Sequence, residues 1–232
     1  MGVSAFAEHV VVSRHSLVKI DPELPLDIAA LFGCAVLTGA GAVFNTARVM
    51  PGNSIAVIGL GGVGLNALLA AQVAGATKII AVDMLDSKLA LARQLGATDA
   101  FNACGTDVVE MIREATKGGV DYAFEMAGSV RAMDLAYRIT KRGGTTVTAG
   151  LSNPAHDFSL KHVSLVAEER TIKGSYIGSC VPLRDVPRYI DLYKQGRLPV
   201  DRLMSEKIAL EDINAAFDKL ASGETVRQVV VM

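Results

Sequence analysis

The chain has no tryptophan, only three cysteines and almost no excess of charge, and each shortage narrows its possible roles. Cys34, Cys104 and Cys180 are odd in number and far apart, which argues against a disulfide framework and for a reducing, cytoplasmic setting. A net charge of −1 over 232 residues gives no field to gather nucleic acid or an anionic membrane, so a small-molecule partner is expected. Glycine or polar residues interrupt every apolar run before about 18 residues, the length a membrane-spanning helix needs. The opening stretch from Met1 to His9 is too polar for a secretory leader.

Apolar residues and glycine are plentiful: half the chain is hydrophobic and 22 residues are glycine. Such a chain can bury a core and suits a compact α/β protein. Between Ser54 and Ile177, short β-rich runs alternate with helical patterns, the rhythm of a parallel sheet wrapped by helices. The pattern predicts strands at Ser54–Gly59, Lys78–Asp83, Asp99–Asn102, Tyr122–Met126, Thr145–Ala149 and Thr171–Ile177. Helices are expected near Gly62–Gly75, Ser87–Leu95, Val108–Thr116 and Val130–Thr140. Gly75, Gly96, Gly118-Gly119 and Gly143-Gly144 stand where helices should stop.

Both ends break that rhythm. The first 42 residues hold an alternating run, Ala7–Val12, a Pro22/Pro25 loop and the start of an apolar segment, Ile28–Val43. Residues 178–232 hold two amphipathic stretches, Val186–Gln195 and Leu210–Leu220, and a final β-like run, Val226–Val231. The expected organisation is a doubly wound, six-stranded parallel sheet over 43–177, flanked by 1–42 and 178–232 as pieces of a second domain.

The segment Gly59-Leu60-Gly61-Gly62-Val63-Gly64 leaves the first strand and opens the first helix, and Asp83 ends the next strand nineteen residues beyond Gly64. Strand, GxGxxG, helix, strand and acidic residue together describe a dinucleotide-binding βαβ unit. Gly59 makes the tight turn, Gly61 lets the backbone approach a pyrophosphate, and Gly64 lets helix and sheet pack closely. Free N–H groups and the positive dipole end of the helix then face the phosphates. Asp83 is placed to accept the adenosine ribose hydroxyls and to repel a 2′-phosphate, while Met84 offers no compensating charge. NAD is therefore expected over NADP.

With these motifs stand Gly33-Cys34-Ala35-Val36-Leu37-Thr38-Gly39, Asp121–Gly128 and Ser222-Gly223-Glu224-Thr225-Val226-Arg227. In that order they make the whole chain resemble the C-terminal two thirds of a zinc-type, medium-chain alcohol dehydrogenase. The resemblance implies that the flanks are remnants of a β-rich, GroES-like catalytic domain. It implies that Cys34 is the third ligand of a catalytic zinc and that Thr38 lies near the nicotinamide as a catalytic residue. By the same resemblance Val63 backs the nicotinamide ring, and Lys88 approaches the adenosine ribose. Arg227 contacts the pyrophosphate, and Ala149, Gly150, Leu151 and Ile177 line the nicotinamide end. The implied activity is hydride transfer between an alcohol or aldehyde and NAD, in a homodimer joined through the Thr171–Ile177 strand.

A catalytic zinc needs three protein ligands and an open position. The cysteine and histidine that the resemblance places upstream of Cys34 do not occur in this sequence, nor does the four-cysteine loop of the family's structural zinc. His9 and His15 belong to no ligand-spaced cluster. The chain reads as a truncated form with an incomplete zinc site, and a non-catalytic NAD-binding module stands as the alternative. A zinc-free relative of the quinone reductases is a further one, against which Asp83 and Cys34 both count. Cys104 and Cys180 read as structural, Asp121 and Glu125 as residues of a strand wall, and Glu168-Glu169-Arg170 as a solvated charge run.

Overall fold

A computed structural model describes residues 6–232, and the chain divides into two compact units, 34–180 and 1–33 with 181–232. A short helix, α1 (Leu26–Ala29), belongs to the second of these. In the first unit, α2 (Ala35–Gly41) runs into a wider π-helical turn at Ala42–Ala47. There follow β1 (Ser54–Ile58), α3 (Gly62–Val73), β2 (Lys78–Asp83), α4 (Asp86–Gln94), β3 (Asp99–Asn102) and α5 (Val108–Ala115). The unit closes with β4 (Val120–Glu125), α6 (Val130–Ile139), β5 (Thr140–Thr148), α7 (His162–Ala167) and β6 (Thr171–Gly174).

All six strands are parallel, in the order β3-β2-β1-β4-β5-β6. The chain winds outward from β1 to β3, then returns to start the other half at β4. Central strands of such a sheet are covered on both faces, which is why β1 and β2 read as unbroken apolar runs. Ile55, Ala56, Val57 and Ile79 to Val82 are buried accordingly. On one face Ala56, Ile58, Ile80 and Val82 pack with Ile112 of α5 and Ala136 and Ile139 of α6. The crevice where the winding reverses, outside the carboxyl ends of β1 and β4, is where such sheets hold ligands.

Several boundaries differ from the expectations. β5 begins at Thr140, because Gly143 and Gly144 sit in an irregular register against β4 and do not end a helix. β6 stops at Gly174, and Ile177 lies in a turn, Tyr176–Ser179, where both Ile177 and Gly178 have left-handed backbone. The Ala7–Val12 alternation forms no strand: Val11 is fully exposed and the run has no partner strand among the described residues. Met1–Ala5 lie outside the described residues. Residues 34–42, expected with the N-terminal flank, fall within the compact unit of the sheet.

Arg170 is the clearest surprise. It is not solvated: its guanidinium lies 4.8 Å from the centre of the Tyr137 ring, donates to the Tyr137 carbonyl and pairs with Glu168. Cys180 is structural, its Sγ donating to the Leu37 carbonyl at 3.3 Å. Asp121 accepts from both the backbone N–H and the hydroxyl of Ser54, and pairs with Lys141 at 2.6 Å. Burial opposes ionisation of that carboxyl, but the Lys141 ammonium and the two Ser54 donors outweigh it and hold it below the ordinary carboxylate range.

In the second unit α8 (Pro182–Lys194) starts four residues before the expected amphipathic stretch, with Pro182 in its first turn. Buried Asp185 accepts the Val181 N–H at 2.8 Å and pairs with Arg184. β7 (Met204–Ile208), α9 (Ile213–Ser222) and β8 (Arg227–Val230) complete the unit, β7 pairing parallel with β8. Lys194–Asp21 and Lys207–Asp27 ion pairs tie its chain segments together. Among the described residues no single helix is long and apolar enough to cross a membrane.

Candidate nucleotide site

The three glycines of the loop have different surroundings, and these separate their roles. Gly59 has φ +91, a conformation that L side chains rarely adopt, and its N–H donates to the Val82 carbonyl at 2.9 Å. A Cβ on Gly64 would overlap the Gly59 carbonyl, so this glycine is what allows α3 to press against the turn. Gly61 has ordinary extended backbone, and a Cβ there would meet nothing within 4 Å. Its missing side chain leaves open space in front of the helix end. The first bond inside α3 runs from the Leu65 N–H to the Gly61 carbonyl at 2.9 Å, leaving the N–H groups of the turn before it directed out of the helix end. A pyrophosphate is the ligand such an end suits.

Asp83, at the carboxyl end of β2, is fixed by two backbone donors. Its Oδ2 accepts the Leu60 N–H at 2.7 Å and its Oδ1 the Leu85 N–H at 3.0 Å. Each carboxylate oxygen offers about two acceptor sites. One on each oxygen is therefore left over, as two vicinal hydroxyls require. Gly59 and Asp83 line one cavity of about 500 Å³ together with Met84, Cys104, Ala127 and Ser129. Arg131, Asp134 and Arg138 of α6 line it too. The open space at Gly61 and the spare acceptors on Asp83 fit a dinucleotide.

Glu125, at the end of β4, is almost fully buried. Its Oε1 accepts the N–H groups of Ala127 at 2.8 Å and Gly128 at 2.6 Å, and its Oε2 accepts the Thr148 hydroxyl at 2.8 Å. Its carbonyl also takes the N–H groups of Ala149 and Gly150, at 3.0 and 3.3 Å. One residue thus fixes the ends of β4 and β5 and the wall at Ala127. Truncating it strands three donors. Glu125→Ala should cost about 2–4 kcal/mol, a fall in Tm of about 5–15 °C by thermal denaturation. Glu125→Gln keeps one acceptor oxygen and the shape, and should cost only about 1 kcal/mol.

The remaining residues singled out from the sequence are dispersed. Cys34 is exposed at the N-terminal end of α2, and the N–H of buried Thr38 donates to its carbonyl at 2.9 Å. Helix α2 lies against α3, with Gly39 at the point of closest approach to the Val63 carbonyl, so Thr38 and Val63 sit on neighbouring helices. Lys88 is half-buried on α4. Ala149, Gly150 and exposed Leu151 follow β5, and Ile177 is partly exposed in its left-handed turn. Arg227 opens β8 in the other compact unit. Among the described residues no group of three or more His, Cys, Asp or Glu side chains is placed to hold a metal ion. Zinc does not fit these residues alone.

Sequence reasoning passed over the far side of the cavity. Cys104 lies in the loop after β3, which ends at the same edge of the sheet as the loops after β1 and β2. That topological fact was the available signal. Arg131, Asp134 and Arg138 look in the sequence like the solvent face of an amphipathic helix.

Residues 62–195 match the family model described as zinc-binding dehydrogenase. Alcohol dehydrogenase 1 of Pisum sativum is 37% identical over 236 residues, a match that takes in 100% of this chain and 62% of the relative. Among solved structures, an alcohol dehydrogenase zinc-binding domain protein from Burkholderia ambifaria superposes with TM-score 0.95 at 39% identity, covering 99% of this chain and 62% of that one. Benzyl alcohol dehydrogenase from Acinetobacter calcoaceticus gives TM-score 0.95 at 35% identity, over 98% of this chain and 63% of that one. The chain thus spans a little under two thirds of the length of these relatives. A match over more than half of its residues, on the fold that carries the glycine loop, places the chain in the zinc-binding dehydrogenase family.

Proposed function

We propose that this chain binds NAD and serves hydride transfer between an alcohol or aldehyde and the nicotinamide. The observation that carries the reading is the pair formed by the Gly61 opening and the doubly anchored Asp83. Bound NAD would supply the hydride acceptor. The N–H groups at the start of α3 would hold the pyrophosphate, and Asp83 the adenosine ribose. Lys88 and Arg227 would add positive charge toward the ribose and pyrophosphate. Val63, Thr38, Ala149, Gly150, Leu151 and Ile177 would border the nicotinamide. In this reading Cys34 is one zinc ligand of a set the described residues do not complete.

The relatives named as alcohol dehydrogenases support the reaction class. That incomplete set supports the other reading, a nucleotide-binding module without turnover. One assay separates the two: the full chain, with zinc supplied, is titrated with NADH and then assayed for alcohol-dependent NADH formation. The dehydrogenase reading expects saturable binding and zinc-dependent turnover. Binding without turnover would leave the module, and no binding would sink both.

We also propose a cytoplasmic homodimer. Among the described residues β6 is an edge strand, bonded only to β5, and such an edge is open to pairing with a second copy. Light scattering should return twice the 24.4 kDa chain mass, and a monomer would overturn this proposal.

A further inference from the structure

A second cavity, about 530 Å³, adjoins the nucleotide crevice and shares Val109, Asp134 and Arg138 with it. Besides Arg138 of α6, three cations reach its lining from separate elements: Arg113 from α5, Lys161 from the residue before α7, and Arg170 from the segment before β6. Three carboxylates line it as well, and two arginines serve all three. Glu110 and Asp134 both pair with Arg138, at 3.7 and 3.8 Å, and Glu168 pairs with Arg170. Arg113 donates only to a neutral acceptor, the Arg138 carbonyl at 2.9 Å, and Lys161 has no ion pair among the described residues. With Arg138 the wall carries four cations against three carboxylates, a net charge of +1.

The third, Arg170, is more telling. It is nine-tenths buried, and although two of its nitrogens are engaged, its Nε has no hydrogen-bond partner. A buried donor left without an acceptor carries a desolvation cost. Its guanidinium is braced on the Tyr137 ring, whose hydroxyl pairs with the Ser164 hydroxyl at 3.0 Å. The cation is thus held in place in advance. Donors arriving from three elements suit a tetrahedral oxyanion better than a planar one, which two parallel donors of one arginine satisfy.

We propose that this cavity is a second ligand site, distinct from the cofactor cradle, for a small molecule bearing a phosphate group. The test is calorimetric titration of the full chain with inorganic phosphate, in saturating NADH and at constant ionic strength. NADH fills the glycine-loop site, so any remaining binding belongs elsewhere. The unmodified chain should bind phosphate saturably and more tightly than acetate. Lys161→Gln should weaken binding about tenfold, as loss of one charge-assisted contact predicts, whereas Lys117→Gln, the same charge change at an exposed lysine outside the cavity, should leave it unchanged. Arg113→Gln should match Lys161→Gln, its folding checked by the melting curve. Absence of binding in saturating NADH would overturn the proposal. So would equal effects of Lys161→Gln and Lys117→Gln, or acetate binding as tightly as phosphate.

Discussion

Gly61→Ala should leave the melting temperature unchanged and weaken NADH binding at least tenfold, while Gly64→Ala should lower the melting temperature by roughly 5–10 °C. The two substitutions add the same methyl group to the same loop, three residues apart. At Gly61 the backbone is already in a conformation any residue adopts, and the new Cβ meets nothing within 4 Å. The fold has no reason to object. The methyl instead stands in the space through which a phosphate must approach the start of α3. Lengthening or losing even one hydrogen bond to a charged group costs about 1.5–3 kcal/mol, and 1.4 kcal/mol is a factor of ten in affinity.

At Gly64 the same methyl runs into the Gly59 carbonyl and comes within 3.3 Å of a Val57 methyl. Neither can withdraw: Gly59 is held by its bond to the Val82 carbonyl, and Val57 is fully buried in β1. Overpacking of this kind costs typically about 1–3 kcal/mol, against a helix-propensity gain for alanine of at most about 1. Packing wins, and because the collision is with backbone the cost belongs at the upper end. Thermal denaturation and NADH fluorescence titration of the two variants, side by side, check both halves. Equal melting losses would refute the division of labour between these glycines.

The second large effect belongs to Asp83. Asp83→Asn should weaken NADH binding about thirtyfold or more and shrink the preference over NADPH. Both carboxylate oxygens hold a backbone N–H, from Leu60 and from Leu85, and both keep a free acceptor site. Asparagine offers a single acceptor oxygen, so one backbone donor and one ribose hydroxyl lose their partner together. Charge-assisted bonds are also roughly twice as strong as neutral ones. A loss of about 2–3 kcal/mol corresponds to about 30- to 150-fold. The same change removes the negative charge that would repel a 2′-phosphate, so NADPH binding should fall less than NADH binding or rise. Fluorescence titrations with both nucleotides read this directly.

How much of this was legible beforehand follows from how local each determinant is. The turn at Gly59, the open Gly61 and the packing of Gly64 are fixed by residues within one strand–turn–helix, and the GxGxxG spacing carries them. The parallel sheet was legible because central strands buried on both faces become continuous apolar runs, as in Ser54–Ile58 and Lys78–Val82. Features that depend on distant partners were not. Arg170 sits in a string of charges, and only the ring of Tyr137, 33 residues away, makes it a buried cation. Ala7–Val12 has a strand's alternation, but alternation makes a strand only where a partner edge receives it. Gly143 and Gly144 read as a helix stop because glycine marks both a helix end and an irregular strand. The α6 wall of the cavity escaped notice because Arg131, Asp134 and Arg138 obey the pattern of a solvated helix face.

The same contrast separates the two cavities. The nucleotide crevice announces itself in sequence, since its glycine loop and acidic residue lie in one βαβ unit. The second cavity gathers Arg113, Lys161 and Arg170 from elements spread over nearly sixty residues, and no spacing rule links them. Only the fold brings these cations to one wall.

The central claim is that this chain carries an NAD site built from the glycine loop and Asp83. Its most direct test is titration of the unmodified 232-residue chain with NADH and with NADPH, followed by cofactor fluorescence. Saturable binding of NADH, at least tenfold tighter than that of NADPH, is the predicted result. NADPH binding as tight as NADH, or no saturable binding of either, would contradict it.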